Sequence, residues 1–429
     1  MFKKYIQKRL EKYVQRYFKK HPEVKLVVVT GSVGKTSTKR ALGTVLNEQF
    51  RVRMDDNNHN TEMSAPLGIL GIEYPANVRS LLAWQAVFKA AKLRINSPTD
   101  VDVIVQELGT DHPGDIAVFG KYLQPDYAVV TAVTAEHMEF FKTMDAVAKE
   151  ELSVSNFSKY TFINSDDVNS KYADFETNPN FTTYGVSETA EYRLEINNFD
   201  VERGYDAIAY GPVFDQGFAV NAHVLGEHSL RPVLAAIGVA GVLGVSPQSI
   251  AAGVGKIRSV PGRMNLLRGL AGTWVIDDSY NSSPAAALGA LRTLYDVFAQ
   301  APQRIAVLGD MRELGETSQQ EHEALGANCK GESLAWVVTV GPETEKYLAP
   351  IARQHGCQVR CFNNPIEAAE FVRTVTQEGA AILVKGSQNT IFLEEAVKNL
   401  CLMSEDVKLV RQSAEWMEKK ERFFASLQK

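Results

Sequence analysis

A glycine-rich turn between an apolar strand and a helix constrains this chain more than any other feature of its sequence. Residues 25–30 (Lys-Leu-Val-Val-Val-Thr) predict a short buried strand, and residues 31–37 (Gly-Ser-Val-Gly-Lys-Thr-Ser) lead directly into a helical pattern. In this arrangement glycines let backbone N–H groups approach phosphate oxygens, while a lysine and a hydroxyl reach the outer phosphates and Mg²⁺. The turn therefore predicts a nucleoside triphosphate site, although Val29 occupies a position where the full motif has glycine.

Six residues of this turn are the predicted nucleotide ligands. They are Gly31, Ser32, Gly34, Lys35, Thr36 and Ser37. Lys35 is expected to contact the outer phosphates, and the Thr36 hydroxyl is expected to ligate Mg²⁺. The alternative is a glycine turn with a surface lysine, and the strand-turn-helix context favours the phosphate interpretation.

Composition limits the remaining classes of protein. The 429 residues allow about three domains, and the net charge of −5 gives no argument for nucleic-acid binding. Four cysteines form neither a C-x-x-C pair nor a His/Cys cluster, which is typical of reduced thiols in a cytoplasmic protein. The sequence shows no apolar signal-peptide core and no uncharged apolar run of about 18 residues that could span a membrane.

The first twenty residues are strongly basic. Eight Lys and Arg residues stand against one acidic residue, Glu11, and the apolar residues recur at three- and four-residue steps. Residues 1–24 therefore predict a basic amphipathic N-terminal helix. Such a helix can lie on an anionic membrane surface, but we favour packing on its own domain with a solvated basic face. A second apolar stretch at residues 79–95 keeps the membrane alternative open.

The fold class predicted is α/β, with two main domains. Residues 25–259 carry apolar runs separated by helical patterns, which predicts a central ATP-binding domain with a parallel sheet covered on both faces. Within it, residues 181–224 alternate and turn often, which predicts a small antiparallel patch. After the break at Pro261-Gly262, residues 260–429 alternate short strands with helices, which predicts a second, doubly wound domain.

Polar residues at strand ends mark the candidate ligand sites. In the second domain Asp277-Asp278, Gly309-Asp310 and Lys385-Gly-Ser387 each follow a strand, which predicts one cleft. In the first domain Glu107 ends a strand and is well placed to hold Mg²⁺ beside the glycine turn. His137 also follows a strand, and it is either a ligand for a second Mg²⁺ or an incidental histidine.

Residues after the domain break have side chains expected around a nucleotide. They are Arg263, Asp278, Tyr280 and Asn281. Arg263 could reach phosphate, and the carboxylate, aromatic and amide groups suit a ribose and a base. Asn281 could equally cap the helix that follows Pro284.

Eight segments, in order along residues 25–400, carry a resemblance to a known family. They are Thr30-Gly-Ser-Val-Gly-Lys-Thr-Ser37, Glu107-Leu-Gly-Thr-Asp-His-Pro-Gly114, Glu136-His137, Gly226-Glu-His228, Pro261-Gly-Arg-Met264, Asp277-Asp-Ser-Tyr-Asn-Ser-Ser-Pro284, Val307-Leu-Gly-Asp-Met-Arg-Glu-Leu-Gly315 and Lys385-Gly-Ser387. The series resembles the Mur ligases, ATP-dependent peptide-bond-forming enzymes of cell-wall synthesis. It is most similar to the branch that adds D-alanyl-D-alanine to the muramoyl tripeptide.

The resemblance implies a fold, cofactors and a mechanism. The fold would be a central P-loop ATPase-type Mur ligase domain followed by a Rossmann-like C-terminal domain. ATP and Mg²⁺ would be the cofactors, and ATP would convert a substrate carboxylate into an acyl phosphate that the amine of D-Ala-D-Ala attacks. The product would be a peptidoglycan precursor, and contacts of ATP with both domains would make domain closure assemble the site.

The resemblance also assigns roles by position. The catalytic residues would be Lys35, Glu107, His137 and Glu151. The Mg²⁺ ligands would be Thr36 and Glu107 for the first ion and His137, with Glu151, for the second. The ATP ligands of the second domain would be Arg263 and Asp278, with Tyr280 and Asn281 near the nucleoside. The substrate ligands would be Asn60 and Thr61, with Lys385 and Ser387 near the incoming dipeptide.

Position 151 departs from the family pattern. Mur ligases usually have there a carbamylated lysine whose carbamate binds the second Mg²⁺, whereas this chain has Glu151. Lys149 lies about 200° away around a helix and cannot easily substitute. We hypothesise that the Glu151 carboxylate takes the place of the carbamate.

Three further departures concern ligands. Where the family usually has two asparagines after residue 228, this chain has Ser229 and Pro232, so recognition of the base can differ. Gln388 stands where an arginine commonly follows Lys-Gly-Ser, which weakens the assignment of a group to the dipeptide carboxylate. Mur ligases of this branch also carry an N-terminal UDP-sugar-binding domain, whereas 24 residues precede the first strand here. We therefore expect a different part of the acceptor to be recognised, a partner to supply that domain, or the basic helix to reach a lipid-linked precursor.

Two other functions stay open. Folylpolyglutamate synthases and cyanophycin-type ligases share the ATP-binding layout, although residues 277–284 and 307–315 favour the D-Ala-D-Ala branch. The second alternative is not an enzyme: it is a scaffold subunit that binds nucleotide but no longer catalyses ligation. We further expect that the substrates are small molecules and that nucleic acid is not a partner. The chain is expected to be a monomer in the cytoplasm.

Overall fold

The computed structural model describes residues 2–55, 59–388 and 391–427, which divide into two compact units. The first unit runs to Thr134 and adds Phe140–His223 and Leu230–Ile257. The second comprises Ala135–Glu139, Val224–Ser229 and the chain from Arg258 onward. Compared with the predicted ranges 25–259 and 260–429, the second unit also includes the two short segments and begins at Arg258, and the N-terminal helix belongs to the first unit.

The described residues form fifteen strands and fifteen α-helices. The strands β1–β15 are Lys25–Thr30, Val52–Met54, Val103–Glu107, Tyr127–Val130, Tyr160–Asn164, Phe181–Tyr184, Arg193–Asp200, Gly204–Tyr210, Phe218–Ala222, Asn265–Arg268, Trp274–Asp278, Arg304–Gly309, Trp336–Val340, Val359–Phe362 and Ala381–Lys385. The helices α1–α15 are Phe2–Lys20, Lys35–Leu46, Ala65–Leu70, Leu81–Asn96, Asp115–Gly120, Met138–Phe141, Met144–Leu152, Leu230–Val242, Pro247–Val254, Pro284–Val297, Ser318–Ala327, Ala349–Gln354, Pro365–Val375, Glu394–Leu400 and Ala414–Leu427.

A six-stranded parallel sheet forms the centre of the first unit, in the order β2-β3-β1-β4-β5-β6. β1 lies between β3 and β4, and Val29 is paired in register with Glu107. Because these strands run parallel, the end of β1 that leads into the glycine turn and the end of β3 that carries Glu107 share one edge of the sheet. The parallel sheet predicted from the apolar runs is confirmed.

A three-stranded antiparallel sheet, β7-β8-β9, accounts for most of the predicted antiparallel patch. The first strand of that patch differs, because β6 pairs parallel to β5 in the main sheet. In β6 only every second residue, Thr182 and Tyr184, is buried. The strand therefore shows the alternating pattern that usually indicates an antiparallel sheet, although it pairs parallel to β5.

The N-terminal helix α1 packs on its own unit, against α3 and α4. Its buried residues are Ile6, Leu10, Tyr13, Val14 and Tyr17. Lysines such as Lys4, Lys8 and Lys12 lie exposed on the other side. The structure therefore has the packed amphipathic helix that we favoured from the sequence. Among the described residues, no helix combines the length and apolar character needed to cross a bilayer.

A second six-stranded sheet, in the order β10-β11-β15-β12-β13-β14, forms the centre of the second unit. β10 is antiparallel to β11 and the other pairs are parallel. The doubly wound second domain predicted from the sequence is confirmed. Since β11, β15 and β12 are neighbours, the residues that follow them, including Asp278, Lys385 and Asp310, meet at one edge as predicted.

Residues 404–429 are rich in charged side chains, and their sequence predicts one charged helix. The observed helix, α15, begins only at Ala414. Lys420 on α15 is 1% exposed, and Arg411 ahead of the helix is also buried. The tail is therefore packed on the second unit through charged side chains, which composition alone would leave in solvent.

Candidate active site

The glycine turn after β1 adopts backbone angles that favour glycine. Gly31 has a φ of 125° and Gly34 a φ of 91°. A Cβ atom on Gly31 would lie 2.2 Å from Thr131 Oγ1, so a side chain there would clash as well as strain the backbone. Gly34 directly precedes α2, whose first-turn N–H groups have no intrahelical acceptors. The turn and the positive end of α2 together form an anion-binding site.

Lys35 and Ser32 stabilise this turn in different ways. Lys35 Nζ donates to Gly31 O and, at 3.4 Å, to Ser32 O, so its ammonium lies over the turn. Ser32 N donates to Ala132 O at 2.9 Å, and Ser32 Oγ accepts from Thr134 N at 3.0 Å. Ser37, the sixth predicted ligand, is half-buried in the first turn of α2. All six predicted residues are therefore gathered in one loop and helix start.

Glu107 lies beside the Thr36 hydroxyl, as a shared Mg²⁺ site requires. The Glu107 side chain is almost fully buried, and its Oε2 accepts from Thr36 Oγ1 at 3.1 Å. Its Oε1 accepts from Asn60 Nδ2 at 3.2 Å, which brings one of the predicted substrate ligands to the same carboxylate. Thr61 instead shares a 2.9 Å hydrogen bond with Ser64 and is exposed.

Lys39 belongs to this group of residues, and the sequence analysis missed it. Its Nζ lies 3.7 Å from Glu107 Oε2, and both side chains are at least nine-tenths buried. Lys39 is one helical turn after Lys35, so the four-residue spacing on α2 is the signal that could have identified it. The buried Lys39 ammonium forms an ion pair with the carboxylate that also contacts Thr36.

Glu151 and its neighbour Glu150 hold two different loops. Glu151 is 2% exposed, and its Oε2 accepts from Gly31 N at 2.8 Å and from Thr30 Oγ1. Glu150 accepts from Gly114 N and Ile116 N, both at 2.7 Å, and thereby holds the loop that follows β3. The structure thus brings the predicted metal ligand Glu151 to the base of the phosphate loop.

Replacing Glu151 by alanine is expected to lower ligation at least tenfold, because loss of a group that orients a metal or its ligands typically costs 10–100-fold in affinity or activity. Glu151→Lys should regain activity only when bicarbonate is supplied, since carbamylation would restore a carboxylate-like group. Phosphate release by the two variants, measured with and without bicarbonate, tests both expectations. Full activity of Glu151→Ala, or a Glu151→Lys rate independent of bicarbonate, would contradict the hypothesis.

In the second unit, Asp278 and Lys385 form a buried ion pair. Lys385 Nζ lies 2.6 Å from Asp278 Oδ2 and donates to Asn281 O at 3.0 Å. Asp278 Oδ1 also accepts from Met264 N at 3.1 Å. The residue predicted for ATP and the residue predicted for the dipeptide therefore contact each other, which places both substrates' candidate ligands at one strand edge.

Tyr280 lies between two arginines. The Arg263 guanidinium carbon is 4.1 Å from the centre of its ring, and that of Arg411 is 5.6 Å away. Arg411 also donates to Ser279 O at 2.7 Å and to Tyr280 O at 2.9 Å. Asp277 supports the same turn by accepting from Gly262 N at 3.0 Å, and its burial raises its pKa to about 6. The segment around Tyr280, a candidate nucleoside ligand, is thus fixed by contacts with Arg263 and Arg411 and by the hydrogen bond between Gly262 and Asp277.

His137 lies in the second unit and contacts an acidic residue there. It has a φ of 50°, and its Nδ1 is 2.8 Å from Glu313 Oε2. The hydrogen bond from His137 lowers the pKa of the Glu313 carboxyl. The structure therefore groups His137 with Glu313, whereas Thr36, Glu107 and Glu151 gather in the first unit. Among the residues that the structure describes, no three His, Cys, Asp or Glu side chains cluster as a metal site.

Both domains match models of known protein families. Residues 29–240 match the model of the Mur ligase middle domain, and residues 262–388 match that of the Mur ligase, glutamate ligase domain. A UDP-N-acetylmuramoyl-tripeptide–D-alanyl-D-alanine ligase of Bacillus subtilis is 25% identical over 383 residues, which cover 88% of this chain and 76% of that protein.

Two solved structures show related folds. MurF ligase from Thermotoga maritima in complex with ADP has a TM-score of 0.75 and 24% identity, and the match covers 97% of this chain and 84% of that one. Folylpolyglutamate synthase from the same organism has a TM-score of 0.58 and 16% identity, covering 89% of this chain and 90% of that one. Both matches show a related fold, and the similarity is greater to the first.

Proposed function

This chain belongs to the Mur ligase family, and we propose that it is an ATP-dependent ligase that adds D-Ala-D-Ala to the carboxylate of a muramoyl peptide in peptidoglycan precursor synthesis. The observation that carries the proposal is the contact between Thr36 and Glu107 at the phosphate loop. The relative from Bacillus subtilis is named for this reaction and aligns over both units. The product would be an amide, formed through an acyl phosphate.

The residues of the first unit would bind and orient the triphosphate. Backbone N–H groups from Gly31 to Thr36 would bind phosphate oxygens, and Lys35 would move from the turn onto the outer phosphates. Its charge would stabilise the negative charge that develops as the phosphoryl group passes to the substrate carboxylate. The loss of the β–γ bond releases ADP, and the later attack of the amine on the acyl carbonyl releases phosphate.

Magnesium fits the Thr36–Glu107 corner. Mg²⁺ is usually held by one or two carboxylates together with substrate phosphates, and this corner offers a hydroxyl and a buried carboxylate 3.1 Å apart. When bound, the ion would neutralise charge on the transferring phosphoryl group. We propose Glu151 and His137 as ligands for a second ion, with Asn60 near the acceptor.

The second unit would supply groups for the nucleoside and the incoming dipeptide. Arg263, Asp278, Tyr280 and Asn281 would contact the nucleotide, and Lys385 with Ser387 would lie near the amine substrate. Contact of ATP with both units stays a prediction. We further propose a cytoplasmic monomer. Three of its four unpaired cysteines are buried, which suits a reducing compartment.

Phosphate release from Mg-ATP tests the proposed function. The purified chain is supplied with UDP-muramoyl tripeptide, with and without D-Ala-D-Ala, and the product mass is followed. Ligation of the dipeptide supports the proposal. Turnover only with L-glutamate would favour the folylpolyglutamate-type alternative, and nucleotide binding without turnover would favour the scaffold alternative.

A contact with an anionic membrane surface is proposed for α1 and α4. The charges on exposed Lys4, Lys8 and Lys12 lie on one side of α1. On α4, Leu81, Leu82 and Leu93 are 56%, 76% and 69% exposed. Exposed lysines and exposed leucines on two helices that pack together provide the charge and the apolar area that binding to an anionic bilayer uses. The contact would bring the enzyme to a lipid-linked acceptor.

Reversing these three lysine charges is expected to weaken liposome binding roughly a hundredfold or more, since each basic residue near an anionic surface contributes about 1 kcal/mol. The change is Lys4→Glu, Lys8→Glu and Lys12→Glu, measured by sedimentation with phosphatidylserine vesicles. Substitution is preferable to deletion, because removing α1 would uncover apolar residues of α4. The matched control is Lys330→Glu, Arg353→Glu and Lys398→Glu on the second unit. Equal binding by the two triple variants would rule the contact out.

A further inference from the structure

Lys39 places a buried positive charge at the Thr36–Glu107 corner of the first unit. Its Nζ lies 3.7 Å from Glu107 Oε2, and the two side chains are 3% and 4% exposed. The same carboxylate oxygen accepts from Thr36 Oγ1 at 3.1 Å. Lys39 is not among the residues proposed to bind ATP, Mg²⁺ or substrate. A cation of the protein is therefore paired with the very carboxylate that is proposed to ligate the metal ion.

The position of Lys39 is fixed by the helix that carries it. It lies three residues after Thr36 and four after Lys35, so the three residues share one side of α2. That helix packs against β3, whose last residue is Glu107. Because the Lys39 side chain is buried in close-packed surroundings, it has few alternative positions. Its charge is thus a fixed component of the corner.

Lys35, one helical turn earlier, contacts different groups. Its side chain is half-buried, and its Nζ donates to the backbone carbonyls of Gly31 and Ser32. One lysine of α2 therefore lies over the turn where phosphate is expected, and the other lies against a carboxylate. This division indicates that the two positive charges have separate functions.

A positive charge beside Glu107 opposes the binding of a second cation there. Repulsion between an ammonium group and a divalent ion is weak in water but grows as burial lowers the effective dielectric constant. A carboxylate that is paired with Lys39 therefore attracts Mg²⁺ less than an unpaired carboxylate would. Nucleotide phosphates add several negative charges and donate oxygens to the ion, which reverses this balance. The corner should accordingly distinguish a metal ion that arrives alone from one that arrives with nucleotide.

We propose that Lys39, acting through Glu107, makes metal binding at this corner depend on nucleotide. Before ATP binds, the ammonium balances the carboxylate and opposes a metal ion; the phosphates of ATP then bring the ion with them. Lys39 thereby sets the order in which metal and nucleotide bind, and it does not contact the transferred phosphoryl group. The placement of the ion at Thr36 and Glu107 rests on the proposed function.

Titration with Mn²⁺ tests this inference without the reaction. Mn²⁺ takes oxygen ligands as Mg²⁺ does, and electron paramagnetic resonance measures its free concentration in the presence of the full chain, with and without ADP. The wild type should bind Mn²⁺ at least about tenfold more weakly without ADP than with it. Lys39→Met should bind Mn²⁺ without ADP at least about tenfold more tightly than the wild type. Lys39→Arg, which keeps the charge, and Lys121→Met, which removes an exposed lysine, should behave as the wild type.

Two further measurements separate this role from a merely structural one. Lys39→Met removes the cation that pairs with buried Glu107, so it should melt at a lower temperature than the wild type. Mn²⁺ alone should restore part of that loss, because the ion supplies the missing positive charge and binds only the folded chain. The double variant Lys39→Met, Glu107→Gln should lose the nucleotide-independent binding, which would assign the ion to this corner.

Several results would overturn the inference. One is equal Mn²⁺ affinity of the wild type with and without ADP, a measurement that needs no variant to fold. Another is equal affinity of the wild type and Lys39→Met without ADP, and a third is nucleotide-independent binding that survives Glu107→Gln. Ligation assays on the same samples test the proposed function separately. Nucleotide-dependent Mn²⁺ binding that Lys39→Met abolishes, without any ligation, would sustain the role of Lys39 and refute the reaction.

Discussion

Replacing Lys35 by methionine is expected to lower the rate of amide formation by at least about a hundredfold to a thousandfold, the usual effect of removing one preorganised group that stabilises developing charge. Lys35 Nζ lies over the phosphate loop, where it donates to Gly31 O and Ser32 O. The side chain is half-buried, so methionine replaces its volume and removes only the charge. Steady-state phosphate release with both substrates present measures the loss.

The fold of the Lys35→Met variant should be preserved, and its melting temperature should match the wild type. Lys121→Met, which removes an exposed lysine from the same unit, is the control for a general effect of charge. Wild-type turnover by Lys35→Met would mean that the loop does not act on the transferred phosphoryl group, and the ATP-dependent mechanism would fail with it.

Replacing Glu394 by glutamine is expected to lower the free energy of unfolding of the second unit by about 3–5 kcal/mol, the range for breaking a buried ion pair by removing one partner. Glu394 is fully buried and pairs with Arg411 at 2.7 Å and with Lys420 at 3.0 Å. Lys420 also pairs with Glu395 at 2.6 Å. After the substitution, Arg411 would lose the carboxylate that it pairs with, and Lys420 would keep only Glu395.

The same variant should also bind ATP more weakly. Arg411 holds the carbonyls of Ser279 and Tyr280, so a shift of its side chain would disturb the loop proposed to contact the nucleoside. Urea denaturation and nucleotide titration measure the two effects, with Glu421→Gln on the exposed side of α15 as the matched control. Glu394→Gln with wild-type stability would show that the four charges are not coupled as their distances indicate.

The sequence predicted well which residues of the first unit lie together at the glycine turn, because the signals there are local. The glycines, Lys35 and Thr36 occur within a few residues of one another, and apolar runs identify the strands β1 and β3. Glu107 could be assigned because the end of a parallel strand has a defined edge in the sheet. Lys39 was not predicted: its four-residue spacing from Lys35 places both lysines on one side of α2, but the spacing alone does not show that Lys39 is buried.

The tail and the surroundings of Ser283 could not be predicted, because they depend on contacts between distant segments. Lys420 lies in a charged helix where every lysine looks equally exposed in sequence, yet it is buried against residues about 25 positions earlier. Ser283 resembles an ordinary helix cap, and only the structure shows that it makes no capping bond and borders a cavity.

The adjacent carboxylates Glu150 and Glu151 give helix α7 a mechanical role. Glu151 accepts a hydrogen bond from Gly31 N in the phosphate loop. Glu150 accepts hydrogen bonds from Gly114 N and Ile116 N in the loop after β3. Two neighbouring residues on a short helix cannot move independently, so a tilt of α7 displaces both loops together. Helix α7 therefore couples the positions of the two loops, because any displacement of the helix would move both carboxylates and the backbone groups that they accept from.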